Sequence, residues 1–374
     1  MNILVTDSDY KHSLGIVRHL GKEGYKSYVL SFNKSSLCSY SKYVQKELVI
    51  NKDYNKEDLL RICKEYKIQL IILVGTNSFR KIVPWKKDLK KEGVFFISVD
   101  EGKLNLAFSK KETYQFAERI GIPVPKTIYP KSFNEVENCN IGFPCVIKGL
   151  YEVGGNIVDY ACNKKELIKK YTKICEQFGF NEEDQNLPMI QEYIEGFGCA
   201  FFAIYNKGKC GLTFQHRRIR EYPPSGGASV CAESFRHRLV EEFGRRLLDS
   251  LKWHGVAMVE FRMTENGIPV LMEINPKFWG SLDLALEAGV NFPKTLVDIY
   301  LGEDIAYSNN YKFIRYHWPL DGDFLHAIHN PRNAIDVLID CLNPKVKSNI
   351  WLRDPLPTLK RVYELFKAAA KKIL

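Results

Sequence analysis

Apolar positions along this chain fall into two regimes. Up to about residue 105, short continuous apolar runs alternate with stretches of helical period. Residues 3–5 read as a buried strand. Residues 11–23 form a helix through Leu14, Val17 and Leu20, with Gly24 as its C-cap. Residues 28–32 read as a second strand, 58–66 as a helix, and 70–74 and 94–98 as two more strands. Apolar strands without polar alternation suit a sheet covered on both faces. Their alternation with helices predicts a small parallel α/β domain.

After residue 108 the pattern changes. A helix over 113–120 is broken by Gly121-Ile-Pro-Val-Pro125, and an apolar strand over 143–148 ends on Lys148. A glycine-containing loop, 149–156, leads to a strand at 157–161, a helix at 164–178 and a strand from 189. Two hairpins follow: strands 199–205 and 210–215 turn through Asn206-Lys-Gly-Lys209, and strands 256–263 and 268–274 turn through Thr264-Glu-Asn-Gly267. A helix over 236–251 lies between them. The expected class is α/β plus α+β, in four segments: an N-terminal α/β domain at 1–107, lobes at 108–190 and 191–306, and an extension at 307–374. The extension ends in a basic amphipathic helix, 358–374, with Leu359, Val362, Leu365 and Phe366 on one side.

Composition narrows the class. No run of 18 apolar residues predicts a membrane span, and the N-terminus lacks the pattern of a secretion signal. Ten cysteines without a CxxC spacing fit a reducing, cytoplasmic setting better than a disulfide framework. The net charge of +10 invites nucleic acid or an anionic membrane surface. However, there is no run of five like charges and no aromatic RNA-binding signature, so solvated lysines or a polyanionic nucleotide substrate account for it. No GxGxxG follows Val5, and no GxSxG nucleophile elbow exists.

The densest chemistry lies on the second hairpin. Alternate residues of a strand share a face, so Glu273, Asn275 and Lys277 point the same way, and Glu260 on the partner strand can face them. Two carboxylates and an amide oxygen are hard ligands suited to Mg²⁺. Their neighbours Met258, Val259, Phe261, Leu271, Met272 and Ile274 are apolar, so the carboxylates are expected to be buried and to need cations. Lys148, closing a strand before a glycine loop, suits a phosphate. In the segment His216-Arg217-Arg218-Ile-Arg220, three arginines precede a Pro-Pro-Ser225-Gly226-Gly227-Ala-Ser229 loop whose amides suit an anion.

In order and spacing these motifs resemble the ATP-grasp superfamily, in the branch with biotin carboxylase, carbamoyl-phosphate synthetase and amino-acid ligases. The motifs are Ser109-Lys110, Cys145-Val-Ile-Lys148, Gln191-Glu-Tyr-Ile-Glu-Gly196, Val259-Glu260-Phe and Met272-Glu273-Ile-Asn275-Pro-Lys277. The resemblance spans about residues 105–300 and implies an ATP-grasp fold preceded by a small parallel α/β domain. It implies that Lys110 and Lys148 grip the phosphates, that a lid with Gly154 and Gly155 covers them, and that Gln191, Glu192, Tyr193 and Ile194 form the adenine strand. Glu260, Glu273 and Asn275 are then the metal ligands. Arg217, Arg218 or Arg220 holds the γ-phosphate or the acyl carboxylate, and Lys277 stands where relatives often have arginine. Ser225, Gly226, Gly227 and Ser229 face the second substrate. The usual acidic ribose ligand is missing from Gly196-Phe-Gly-Cys199.

The activity so implied is an ATP- and Mg²⁺-dependent carboxylate–amine ligase, with two Mg²⁺ ions expected and Mn²⁺ as a substitute. Its partners are a small carboxylate and an amine (amino acid, peptide or sugar-linked acid), with no nucleic acid. A carboxylase or kinase on the same fold, a non-catalytic nucleotide-binding regulator, a homodimer and a membrane-surface contact through the last helix stay open.

Overall fold

The computed structural model describes residues 1–150, 157–183, 185–224 and 226–373, without the side chains of residues 369 and 371–373. Strands β1 (Asn2–Val5), β2 (Lys26–Ser31), β3 (Val44–Val49) and β4 (Ile68–Ile72) form a parallel sheet in the order β3-β2-β1-β4. Helices Lys11–Lys22 and Lys56–Glu65 return the chain between strands. Two expectations change here. Residues 94–98 do not form a strand but make a single bridge, Phe95 to Leu70, beside β4. The sheet's fourth member is instead β3, whose Val-Gln-Lys-Glu-Leu-Val sequence is too polar to read as core; it sits at the sheet edge, where polar residues meet solvent.

A second, antiparallel sheet contains β5 (Thr127–Ile128), β6 (Cys145–Lys148), β7 (Val158–Ala161) and β8 (Met189–Glu192), in the order β5-β8-β6-β7. The helix Lys164–Phe178 covers it. Its start is fixed by the Asn163 side chain, which accepts from the Glu166 amide, and its end by Gly179 in the left-handed region at φ 71°. Cys145, Ile147, Leu167, Tyr171 and Ile190 make this lobe's own core. Because β8 bonds to β5 and β6, the chain leaves the small sheet only between Glu192 and Phe197.

The third sheet has β9 (Phe197–Asn206), β10 (Lys209–Tyr222), β11 (Ala228–Ser234), β12 (Gly255–Met263), β13 (Pro269–Asn275), β14 (Arg315–His317) and β15 (Lys347–Ser348). Its order is β13-β12-β9-β10-β11-β14-β15, so the C-terminal extension completes the same sheet. Alternate residues of β9 enter opposite cores. Cys199, Phe201, Ala203 and Tyr205 pack with the helix Arg238–Ser250, while Ala200, Phe202 and Ile204 pack with helices Leu282–Glu287 and Phe292–Leu301. Both faces are therefore covered, as the apolar flanks of Glu260 and Glu273 require.

The last helix runs from Leu356 to Ile373. It is held by Arg361, 2.9 Å from Asp321, and by Lys360 over the Tyr40 ring. Of the apolar positions on one side of it, Leu359, Leu365 and Phe366 are exposed and Val362 is half-buried. The helix also packs on the turn Leu37–Tyr40 through its first residues, and most of its apolar side is exposed.

Candidate functional site

One cavity of about 630 Å³ is lined by strands of the second and third sheets and, from the N-terminal domain, by Tyr10, His12 and the segment 74–77 that follows β4. That volume lies within the usual range of small-molecule sites.

The β12–β13 hairpin forms its floor. Glu260 and Glu273 are direct cross-strand partners on β12 and β13. Asn275 donates through Nδ2 to the Glu273 carboxylate at 2.6 Å, and its Oδ1 accepts from Lys277 Nζ at 3.0 Å. These contacts realise the shared face that strand alternation predicts. The two carboxylates titrate as a pair. Burial pushes Glu260 up, and the neighbouring Glu273 adds to this, against the pull of Arg218. Burial acts on Glu273 too, but Lys110, the Asn275 hydrogen bond and Lys277 outweigh it and hold this carboxyl below its ordinary value.

Local structure brings each cation to these acids. The Ser109 hydroxyl accepts from the Glu112 amide and caps the helix Lys110–Arg119, which places Lys110 in its first turn. Tyr114 donates to the Met272 carbonyl at 2.7 Å and pins that helix to β13, and Lys110 Nζ then lies 3.5 Å from Glu273. Lys148, at the end of β6, donates to Gln191 Oε1 at 2.8 Å. Burial, with the nearby Lys110 charge, lowers its pKa to about 8. Gln191 in turn donates to Thr127 at 3.0 Å. Glu192 accepts from the Lys126 amide, and Arg262 occupies the Ile194 carbonyl at 3.0 Å and reaches the Tyr193 hydroxyl. Gln191, Glu192, Tyr193 and Ile194 all line the cavity.

The three arginines part company. Arg218 enters the cavity, 2.6 Å from Glu260 and 3.3 Å from Glu221, and donates to the Gly227 carbonyl. Arg217 points the other way, onto Glu233. Arg220 is buried between Asp323 and Asp340, at 2.7 Å from each. Neither Arg217 nor Arg220 lines the cavity, so of the three only Arg218 is placed to meet a ligand there.

The 226–229 segment borders the cavity as well, with Gly226 at φ 126° and a Cβ there only 2.5 Å from the Tyr160 hydroxyl. The Gly226 amide bonds to the Pro223 carbonyl, so it serves the turn instead of an anion. The Ser229 hydroxyl is buried without a protein partner. Gly154, Gly155 and Ser225 lie outside the described residues.

Several lining residues carry no motif. Glu221 pairs with Arg218, and His12 comes from the N-terminal domain. His12 Nδ1, His216 Nδ1 and Trp279 Nε1 join Ser229 Oγ as buried polar atoms without a partner, all at this one cavity. A buried polar atom left unpaired costs about 1–3 kcal/mol, which a polar ligand or water relieves. Sequence offered no signal for His12, because the cavity it lines is completed by residues of the second and third sheets, far along the chain.

The donor set fits a divalent cation. Among the described residues no group of three His, Cys, Asp or Glu could hold a metal. Glu260, Glu273 and Asn275 Oδ1 suit Mg²⁺, which takes its other ligands from phosphate and water.

Residues 189–318 match the family model described as an ATP-grasp in the biosynthetic pathway with Ter operon. The chain is 22% identical over 261 residues to the carbamoyl phosphate synthase large chain of Thermoanaerobacter sp. (strain X514), covering 67% of this chain and 23% of that protein. It thus spans about a quarter of the length of the curated relatives it matches. In structure it resembles the biotin carboxylase domain dimer of Hydrogenobacter thermophilus 2-oxoglutarate carboxylase, solved with MgADP, ADP and bicarbonate. There the TM-score is 0.68 at 16% identity, over 84% of this chain and 72% of that one. It also resembles N5-carboxyaminoimidazole synthetase from Staphylococcus aureus, with a TM-score of 0.62 at 16% identity, over 83% and 79% of the two chains. By its motifs, its fold and these matches, the chain carries an ATP-grasp domain with carboxylase and ligase relatives.

Proposed function

We propose that this chain is an ATP- and Mg²⁺-dependent carboxylate–amine ligase that works through an acyl phosphate. The observation that carries the reading is the buried Glu260–Glu273 pair ringed by Lys110, Lys148 and Arg218 in one cavity. Such a site is built to stabilise charge on a terminal phosphoryl group. Lys148 and Lys110 hold the phosphates, and the backbone beside Tyr193 and Ile194 receives the base. Mg²⁺ on Glu260, Glu273 and Asn275 would neutralise charge on the β- and γ-phosphates.

A carboxylate oxygen of the substrate attacks the γ-phosphorus and ADP leaves. The amine nitrogen then attacks the acyl carbon, the carbon–oxygen bond to phosphate breaks, and the amine gives up its proton. Arg218 is placed to balance the charge that builds on the transferring group. The unpaired atoms of His12, His216, Ser229 and Trp279 suit the polar ends of the acid and the amine.

Chromatography of the nucleotides under turnover tests this reading. ADP and inorganic phosphate are expected, and hydroxylamine in place of the amine should yield a hydroxamate. AMP as the main product excludes the acyl-phosphate route. A second reading takes bicarbonate as the acid, favoured by the likeness to a biotin carboxylase domain solved in complex with bicarbonate. ADP release that depends on bicarbonate, with labelled carbon passing to the acceptor, would select it.

A further inference from the structure

More than half of the large exposed apolar side chains among the described residues fall between Phe324 and Phe366. Scattered exposed leucines need no explanation, but a contiguous apolar face marks an interaction surface. The helix Ala334–Leu342 shows this most clearly. Ile335, Leu338, Ile339 and Leu342 are 68%, 59%, 54% and 74% exposed. They sit at positions i, i+3, i+4 and i+7, which is one stripe of a helix.

The rotation of this helix is not loose. Its inner side carries Val337 and Asp340, both buried. Asp340 accepts from Arg220 at 2.7 Å and from Arg315 at 3.3 Å. This ion pair turns the apolar stripe outward. The preceding helix, Asp323–His329, is locked in the same way, with Asp323 on Arg220 and His326 Nδ1 on the Glu221 carbonyl, and it leaves Ile328 exposed.

The charges around the stripe are one-sided. Arg332, Lys345, Lys347 and Arg353 are exposed, against a single exposed acid, Asp336, over residues 330–354. A second copy of the chain would be a poor cover. A two-fold interface sets a patch against itself, so these cations would face one another. An apolar stripe bordered by lysine and arginine instead suits the headgroup boundary of an anionic bilayer.

We propose that the Ala334–Leu342 helix and its basic flanks are a docking surface for an anionic membrane. No helix of the described residues is long and apolar enough to cross a membrane, so the contact lies on the surface of the bilayer. The docked helix shares Arg220 with β10, the strand that carries Arg218. The cavity is thereby tied to the face that meets the lipid. This surface is distinct from the terminal helix Leu356–Ile373, through which the sequence left a membrane contact open.

Co-sedimentation with vesicles tests the proposal on the full chain. Binding is expected to vesicles containing phosphatidylglycerol and not to pure phosphatidylcholine, and to weaken on raising the salt. The double variant I335D/L342D should abolish it while keeping the melting temperature, because both side chains are exposed. K345E/K347E should weaken it on the order of tenfold or more. Absence of binding by the wild type, or binding untouched by both variants, overturns the proposal. So does a dimer in sedimentation equilibrium that I335D/L342D dissociates, which would assign the stripe to a second copy.

Discussion

Arg218 on β10 reaches Glu260 on β12 at 2.6 Å by passing over β9 at Gly198. A Cβ at 198 would stand 2.9 Å from the Arg218 side chain, so the absence of a side chain there makes the crossing possible. The Gly196-Phe-Gly-Cys199 stretch is thus the channel for an arginine.

That crossing predicts a graded pair of variants. Arg218→Ala should lower kcat by about 10²–10³-fold, the usual loss when one preorganised charge is removed. Gly198→Ala should lower it less, because the arginine stem can shift. ATP affinity should change little in either. Glu273→Gln should abolish turnover while the fold survives. Steady-state kinetics beside nucleotide calorimetry read all three; normal kcat in Arg218→Ala removes this residue from the reaction.

Lys148 predicts a pH dependence of nucleotide binding. Its pKa in the free protein is lowered to about 8, chiefly by burial. It is charged below that pH and loses its charge above it, and a bound polyphosphate favours the charged form. Affinity should therefore hold below pH 8 and fall by up to about tenfold per pH unit above it. Lys148→Ala should bind ATP about 1–3 kcal/mol more weakly at pH 7 and lose this slope. Calorimetry from pH 6.5 to 9.5 decides, and an identical slope in the variant would contradict the assignment.

Arg220 and Arg217 should separate in stability. Arg220→Ala removes the cation shared by buried Asp323 and Asp340, leaving them only His317 and the longer Arg315 contact, and should cost about 3–5 kcal/mol. Arg217 is partly exposed on Glu233, and its removal should cost no more than about 1 kcal/mol. Denaturant titration measures both, and equal losses would mean that Arg220 is not the clamp of the C-terminal helices.

Asp283 should make the fold less stable as pH rises. Burial lifts its pKa to about 6, while the Trp318 hydrogen bond, Arg18 and Lys11 oppose the shift and Asp321 adds to it. A raised folded pKa means that the folded state holds the proton more tightly. The stabilisation is complete below about pH 4 and is lost as pH rises through about 6, on the order of 2–3 kcal/mol for this group. Asp283→Asn keeps an acceptor for Trp318 Nε1, 3.2 Å from Asp283 in the wild type, and should not show that loss. Melting curves of both proteins from pH 4 to 8 give the difference; parallel curves would rule it out.

What the sequence alone determined is what local geometry controls. Strand alternation placed Glu273, Asn275 and Lys277 on one face, and a hairpin turn set Glu260 opposite them. An apolar strand ended on Lys148, whereas the helix read from 113 starts at Lys110, because the Ser109 side chain caps it. The same alternation would have sent Arg218 and Arg220 to one side. Register shifts in β10 between Arg218 and Arg220, and again before Glu221, turn one toward the cavity and the other into a buried ion pair. A bulge depends on the partner strand, so it leaves no period in the sequence. Long-range packing likewise brought His12 into the cavity that Trp279 lines and left the stripe of the Ala334–Leu342 helix outward, because its rotation is set by Asp340 meeting Arg220, 120 residues away.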